Sequence, residues 1–237
     1  MAGMGKGVEL FAGTSGYAYE EWRGRFYPEE LPAEAWLGHY AGRLPAVEIN
    51  ASFYRIPKRP VVEGWAAEVP PFFRFACKAS RRLTHQRRLR GADVGRDLAF
   101  MLEQFEGLGE RLGAVLFQLP PNLKADLTRL EAFLELLPPC LPTAFEFRHP
   151  SWDPDAVDAL LAPAGAVRVA GAGSPSELTR TAPFAYLRLR APDYSDAELT
   201  AWRARLEELD LERAFVFFKH EEDAAGPALA ARFLRRT

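Results

Sequence analysis

The sequence predicts an α/β fold, specifically a single (β/α)8 TIM-like barrel. Eight strand-like segments are separated in most cases by amphipathic helical segments, the order expected of parallel strands covered by helices. Several of these strands alternate apolar with charged residues, whereas central strands of a doubly wound sheet are apolar on both faces. The chain has 237 residues, close to the about 250 that such a barrel needs. The barrel is therefore favoured over a doubly wound sheet.

The predicted elements follow one another along the whole chain. The strands cover residues 8–14, 45–50, 72–78, 113–119, 142–148, 165–170, 184–190 and 213–219. The helices cover residues 33–41, 60–68, 94–112, 126–137, 154–161, 196–209 and 224–236. The Gly/Ser/Pro-rich segment 171–183 offers at most one turn of helix. No composition break indicates a second domain, so residues 8–237 form one domain and the glycine-rich segment 1–7 is a flexible N-terminus.

The alternation predicts which side chains point into the barrel. Val47 and Ile49 suit the space beneath the helices, so Glu48 and Asn50 point inward. The same rule places a further set of polar side chains inside: Arg74, Lys78, Gln118, Glu146, Arg148, Arg168, Arg188 and Arg190. Six basic residues against two acidic ones leave an inward excess of four positive charges.

The inward residues at the C-terminal strand ends indicate a site for an anion. Active sites of this fold lie at that end of the barrel. Lys78, Arg148 and Arg190 are placed to hold a phosphate, sulfate or carboxylate group. For the charged residues deeper in the barrel, the alternative is that they pair with one another and fill the interior. These residues are Arg74, Glu146, Arg168 and Arg188.

Glu48 and Glu146 are the candidate catalytic residues, because two carboxylates can serve as general acid and base. The alternative role of these two carboxylates is to form ion pairs with neighbouring arginines. Lys78 could form a Schiff base if it is desolvated. His149 and His220 follow two strands, but no spaced ligand motif accompanies them, and neither a metal nor a cofactor is predicted.

Composition restricts the partners and the compartment. The net charge of −2 gives no general signal for nucleic acid or membrane. The basic loop 81–90 makes nucleic acid the less favoured alternative partner. Two distant cysteines and the lack of a long apolar run predict a cytoplasmic protein. Low counts of asparagine, glutamine and methionine fit a thermophile, and a GC-rich genome gives the same skew.

Several motifs carry a resemblance to a known family. They are Gly13–Tyr17, Trp22, Phe26–Pro28, Val47–Tyr54, Gln118–Pro121 and Phe145–Trp152. In this order they resemble the domain-of-unknown-function 72 (YecE-like) family. The resemblance implies a TIM-like barrel and no particular activity. The residues carried over most safely are Glu48, Asn50, Tyr54, Lys78, Gln118, Glu146, Arg148 and Trp152. The chain departs from the family pattern around Gly171, Arg190 and Lys219.

These observations predict a barrel that binds a small anionic ligand at its C-terminal mouth and acts as a hydrolase, lyase or isomerase. The candidate ligand-binding residues are Asn50, Tyr54, Lys78, Gln118, Arg148, His149, Trp152 and Arg190. A phosphodiester-processing or nucleic-acid-binding barrel and a non-catalytic binding or scaffold barrel are the alternatives.

Overall fold

The chain folds into a barrel of eight parallel strands, as predicted. The computed structural model describes residues 7–171, 173–219 and 224–235. The strands are β1 (Glu9–Ser15), β2 (Ala46–Ile49), β3 (Arg74–Lys78), β4 (Leu112–Gln118), β5 (Thr143–Glu146), β6 (Ala166–Arg168), β7 (Phe184–Leu189) and β8 (Arg213–Phe218). Each strand pairs with its neighbours in the order β6-β5-β4-β3-β2-β1-β8-β7. The predicted TIM-like barrel is confirmed.

The barrel is nearly closed by a short contact between β6 and β7. Ala170 donates its N–H to the carbonyl of Tyr186 at 3.1 Å and accepts from the N–H of Arg188 at 2.9 Å. Gly171 follows with φ of +117°, and a Cβ there would lie 2.5 Å from the Arg188 carbonyl oxygen. Glycine is therefore required where the chain leaves this seam.

Helices cover the outside of the barrel. They are α1 (Trp36–Ala41), α2 (Ala51–Tyr54), α3 (Arg59–Glu68), α4 (Val94–Phe105), α5 (Leu127–Leu134), α6 (Pro154–Leu161), α7 (Asp196–Glu208) and α8 (Ala225–Leu234). Side chains of Asp126, Asp153 and Ser195 cap α5, α6 and α7. No helix within the described ranges is long and apolar enough to cross a membrane.

The structure differs from the predicted elements in a few places. The predicted helix 94–112 ends as an α-helix at Phe105, and a 3-10 segment, Glu106–Arg111, continues it. Gly109, with φ of 53° and ψ of −133°, breaks the helical geometry. The four-residue helix α2 and a π-helical turn at Arg82–Gln86 were not predicted. Of the predicted flexible N-terminus, residues 1–6 lie outside the described residues.

Two apolar layers support the barrel. The outer layer lies between the strands and the helices. The inner layer fills the lower barrel with aromatic rings, among them Phe11, Tyr186, Phe215 and Phe217. The Arg74 guanidinium lies 5.4 Å from the centre of the Phe11 ring. Apart from Arg74 at the lower end, the inward-pointing polar side chains among the described residues gather at the C-terminal end of the barrel.

The prediction that Arg168 points into the barrel was wrong. Val167 belongs to the inner apolar layer, so β6 has the opposite phase. Arg168 instead forms a bidentate ion pair with Asp158 on α6, with both N···O distances at 2.9 Å. This paired geometry stabilises the outward orientation of the guanidinium.

We expect Gly13→Ala to destabilise the fold strongly. Gly13 on β1 faces Ala46 on β2, and an added Cβ would lie 1.7 Å from the Ala46 carbonyl oxygen. The strands would have to separate, so the free energy of unfolding should fall by about 3 kcal/mol or more in urea titrations. Gly64→Ala in α3 is the control, because a Cβ there meets no atom within 4 Å. That variant should gain about 0.5–1 kcal/mol; equal effects at the two positions would contradict the prediction.

Candidate functional site

Polar side chains from every strand end except that of β6 meet in one cavity at the C-terminal mouth. The cavity has a volume of about 540 Å³. Its lining residues are Tyr19, Asn50, Tyr54, Lys78, Gln118, Arg148, Arg188, Arg190 and Lys219. Every charged residue among them is basic. We refer to these nine residues as the mouth cavity.

Arg188 forms the floor of the mouth cavity with two carboxylates. Its Nη2 donates to Glu48 Oε1 at 2.8 Å and its Nη1 donates to Glu146 Oε2 at 2.6 Å. Arg188 is 4% exposed and Glu48 is fully buried. Tyr186 completes the group by donating its hydroxyl to Glu48 Oε2 at 2.7 Å. Burial alone lowers the pKa of Arg188, but the two carboxylates outweigh burial and raise it, so the guanidinium stays charged.

Glu146 links this floor to the upper cavity. Besides Arg188, it accepts hydrogen bonds from Arg190 Nη2 at 2.6 Å and Gln118 Nε2 at 2.8 Å. Burial by itself raises the pKa of Glu146, but the charges of Arg188 and Arg190 together with the Gln118 hydrogen bond lower it to about 2. The carboxylate is therefore ionised at neutral pH and has its oxygens occupied.

Lys78 continues the chain of hydrogen bonds through Gln118. Its Nζ donates to Gln118 Oε1 at 2.9 Å and lies 4.3 Å from the centre of the Phe53 ring. Lys78 is only 9% exposed, and it forms no ion pair with a carboxylate in the part of the chain that the structure describes. Burial and the charge of Arg188 lower the pKa of the Lys78 amine to about 8.

The upper wall of the cavity carries more exposed groups. The Arg148 Nε lies 4.0 Å from Glu146 Oε1, and its side chain is 43% exposed. Tyr54 is 71% exposed at the rim. Taking the floor and the lining together, five cations (Lys78, Arg148, Arg188, Arg190 and Lys219) face two carboxylates (Glu48 and Glu146), an excess of three positive charges among the described residues.

The structure brings most of the predicted site residues together. Glu48 and Glu146 lie in the floor, and a further six line the cavity: Asn50, Tyr54, Lys78, Gln118, Arg148 and Arg190. Asn50 donates its side-chain amide to Glu48 Oε1 at 3.3 Å. Strand alternation predicted the inward direction of all of these side chains except Tyr54, which lies on α2 and was predicted from the family resemblance.

His149 and Trp152 do not line the mouth cavity. They border a neighbouring cleft of about 310 Å³. Trp152 is buried, donates its Nε1–H to the Leu123 carbonyl at 2.9 Å and packs on Phe147. His149 Nδ1 contacts Ser151 Oγ at 2.8 Å. The chain bends and turns at residues 149–152, after Arg148, so strand periodicity does not predict side-chain direction there.

Four lining or floor residues were absent from the predicted ligand-binding set, although the sequence contains a signal for three of them. Tyr186 and Arg188 on β7 have the same inward phase as Arg190, which directly follows the strand. Tyr19 has no such signal, because it lies in the irregular segment after β1 and is held by a 2.6 Å hydrogen bond from its hydroxyl to the Ser15 carbonyl. Lys219, the last residue of the predicted strand 213–219, also lines the cavity.

The basic loop 81–90 is partly neutralised by α4 and its N-terminal flank. Arg82 Nε and Arg87 Nε lie 2.8 and 2.9 Å from Asp97 Oδ2. Arg87 also pairs with Asp93 at 3.0 Å. These pairs reduce the positive charge that the loop could offer to a nucleic acid. Within the described ranges, no group of three or more His, Cys, Asp or Glu side chains is arranged to hold a metal ion.

Fold and site together define a TIM-like barrel with a basic cavity at its C-terminal mouth. The chain belongs to the family described as "Protein of unknown function DUF72", whose sequence profile matches residues 11–237. The predicted family membership is confirmed.

Solved structures and curated proteins agree with this membership. A DUF72 family protein from Thermotoga maritima is 27% identical, with a TM-score of 0.82 over 95% of this chain and 97% of that one. A DUF72 family protein from Enterococcus faecalis, at 19% identity and a TM-score of 0.74 over 97% of each chain, shares the fold.

Two curated relatives are similar over part of their length. UPF0759 protein YunF of Bacillus subtilis is 30% identical over 149 residues, 60% of this chain and 52% of that protein. UPF0759 protein YecE of Escherichia coli K12 is 34% identical over 118 residues, 49% of this chain and 42% of that protein. The matches thus span about half the length of these relatives.

The ionised form of Glu146 should stabilise the fold in a pH-dependent way. Its pKa is lowered from 4.5 to about 2, so the contribution is present above pH 4.5 and is lost as the pH falls towards 2. We expect the stability advantage of the wild type over Glu146→Gln to shrink by about 3 kcal/mol between about pH 6 and pH 2 in denaturant titrations.

The control is Glu131→Gln, which changes an exposed carboxylate on α5. Its stability difference from the wild type should stay nearly the same at both pH values. A Glu146→Gln difference that is equally independent of pH would show that the ion pairs do not stabilise the folded state.

Proposed function

We propose that this protein binds a small anionic ligand, carrying a phosphate, sulfate or carboxylate group, at the mouth cavity. One observation carries the proposal: of the cavity lining that the structure describes, all five charged residues are basic. Among the residues that the structure describes, the carboxylates that form ion pairs with these cations belong to Glu48 and Glu146, and both are in the floor. A ligand that supplies negative charge would offset the remaining excess.

The arginines are held in place before any ligand arrives. Glu146 accepts from both Arg188 and Arg190, and Glu48 accepts from the other side of Arg188. A guanidinium fixed in this way loses little side-chain entropy on binding an anion. The cavity volume, about 540 Å³, lies in the range of about 300–1,000 Å³ typical of small-molecule sites.

Within this proposal, Glu48 and Glu146 act as positioning residues for the arginines. Their catalytic role as acid and base stays a prediction. A group that transfers protons works best with a pKa near the working pH, and the pKa of Glu146 is about 2. Lys78, with a pKa of about 8, fits proton transfer in a hydrolase, lyase or isomerase better. A non-catalytic binding protein would use the same anion site.

Titration with inorganic phosphate and sulfate tests the proposal most directly. We expect isothermal titration calorimetry in a buffer free of competing anions to detect binding by the wild type. Arg148→Ala should weaken that binding about tenfold, the effect of losing one charge-assisted hydrogen bond. Arg148 contacts Glu146 only at 4.0 Å, so its removal should leave the folded state intact.

The matched control is Arg96→Ala, which removes the same charge. Arg96 lies on α4 outside the mouth cavity, and its side chain is 73% exposed. Affinity equal to that of the wild type is expected for this variant. The proposal is wrong if the folded wild type binds neither anion, or if both variants lose affinity to the same extent.

A further inference from the structure

We propose that Lys78 is a nucleophilic amine that forms an imine with the carbonyl group of its ligand. The ligand class would be a small aldehyde or ketone that also carries an anionic group. The anionic part of this inference rests on the function proposed above, whereas the reactivity of Lys78 does not.

The geometry around Lys78 is unusual for a structural lysine. A buried ammonium group is costly unless a carboxylate pairs with it. Lys78 is 9% exposed. Among the described residues, its Nζ donates to an amide oxygen, Gln118 Oε1 at 2.9 Å, and not to a carboxylate. The two carboxylates whose charges act on Lys78 are engaged elsewhere. Glu48 accepts a hydrogen bond from Arg188, and Glu146 accepts from Arg188 and Arg190.

The surroundings of Lys78 also favour the neutral amine over the charged ammonium group. Burial and the neighbouring charges of Arg188 and Lys219 oppose protonation and outweigh the attraction of Glu48 and Glu146, which leaves the pKa at about 8. On the order of a tenth of the Lys78 side chains are then uncharged at pH 7, against fewer than about one in a thousand for an ordinary lysine. A desolvated lysine beside other cations is a recognised arrangement for imine formation.

Contacts also orient the amine. Gln118 Nε2 is fixed by its bond to Glu146, so Gln118 Oε1 presents a defined acceptor to Lys78. The Phe53 ring, centred 4.3 Å from Nζ, covers another side of the amine. Because Lys78 lines the mouth cavity, a carbonyl carbon in the cavity can approach Nζ while an anionic group of the same molecule contacts Arg148 or Arg190.

Imine formation needs no reactant besides the Lys78 amine and the carbonyl compound. The lone pair of the neutral Nζ attacks the carbonyl carbon, and the carbonyl oxygen takes up a proton to give a carbinolamine. That hydroxyl leaves as water, which contains the carbonyl oxygen and the two hydrogens of the amine. The C=N bond that remains is protonated to an iminium ion, which withdraws electrons from the adjacent carbon. Water can reverse each step.

The chain provides internal standards for a test, because it has only five lysines: Lys6, Lys58, Lys78, Lys124 and Lys219. Lys58 and Lys124 are exposed and lie away from the mouth cavity. We therefore suggest incubating the folded wild type with glyoxylate, an aldehyde that carries a carboxylate, together with cyanoborohydride to reduce any imine. Peptide mass spectrometry then gives the rate of labelling at each lysine.

We expect Lys78 to be labelled at least about tenfold faster than Lys58 and Lys124 at neutral pH. Its rate should level off above about pH 8, whereas those of ordinary lysines continue to rise towards about pH 10. Inorganic phosphate should slow labelling of Lys78 but not of Lys58 or Lys124, and acetaldehyde, which lacks the carboxylate, should label Lys78 more slowly than glyoxylate does. Lys78→Arg should lose the label at position 78, while Lys58 and Lys124 are labelled at their wild-type rates.

Two outcomes of these experiments would distinguish a failure of imine formation from a failure of anion binding. If Lys78 reacts no faster than Lys58 and Lys124 while calorimetry detects phosphate binding, imine formation is refuted and the anion site stands. If Lys78 reacts fastest but equally with glyoxylate and acetaldehyde, and phosphate neither binds nor slows the reaction, the reactive amine stands and the anionic ligand class is refuted. Because the wild type itself is labelled, neither result depends on whether a Lys78 variant folds.

Discussion

The ion pairs of Arg188 with Glu48 and Glu146 are the interaction on which the rest of the site depends. They join β7 to β2 and β5 through the inside of the barrel, with N···O distances of 2.8 and 2.6 Å. Burying three charges together is acceptable only because each is paired. Loss of any one member would leave an uncompensated charge in the barrel, which typically costs about 3–5 kcal/mol.

The basic character of the mouth cavity follows from this arrangement. Glu146 is shared between Arg188 and Arg190 and also accepts from Gln118, so it is not available to Lys78. The carboxylates that could neutralise the mouth cations are thus engaged in the floor. This explains in one step why the cavity has an excess of positive charge and why Lys78 has an amide, rather than a carboxylate, as its partner.

Much of the fold was predictable because strand and helix patterns are local. The eight strands appear close to their predicted positions, and α6 begins and ends at the predicted residues. The failures are also local. The α-helix ends at Phe105 and Gly109 interrupts the 3-10 segment that follows, and Arg168 on β6 points outward, where it pairs with Asp158. His149 and Trp152, which were predicted from the motif Phe145–Trp152 and not from strand periodicity, border a neighbouring cleft rather than the mouth cavity.

The sequence by itself determined the barrel, the family and the identity of most inward polar residues, because alternation within a strand decides which face a side chain occupies. Only the tertiary structure decided which of the inward charges pair. Arg188 meets Glu48 across 140 positions of the chain, a contact that no local pattern encodes. That long-range pairing, rather than the number of charges, leaves Lys78 without a carboxylate and makes it the distinctive group of the site.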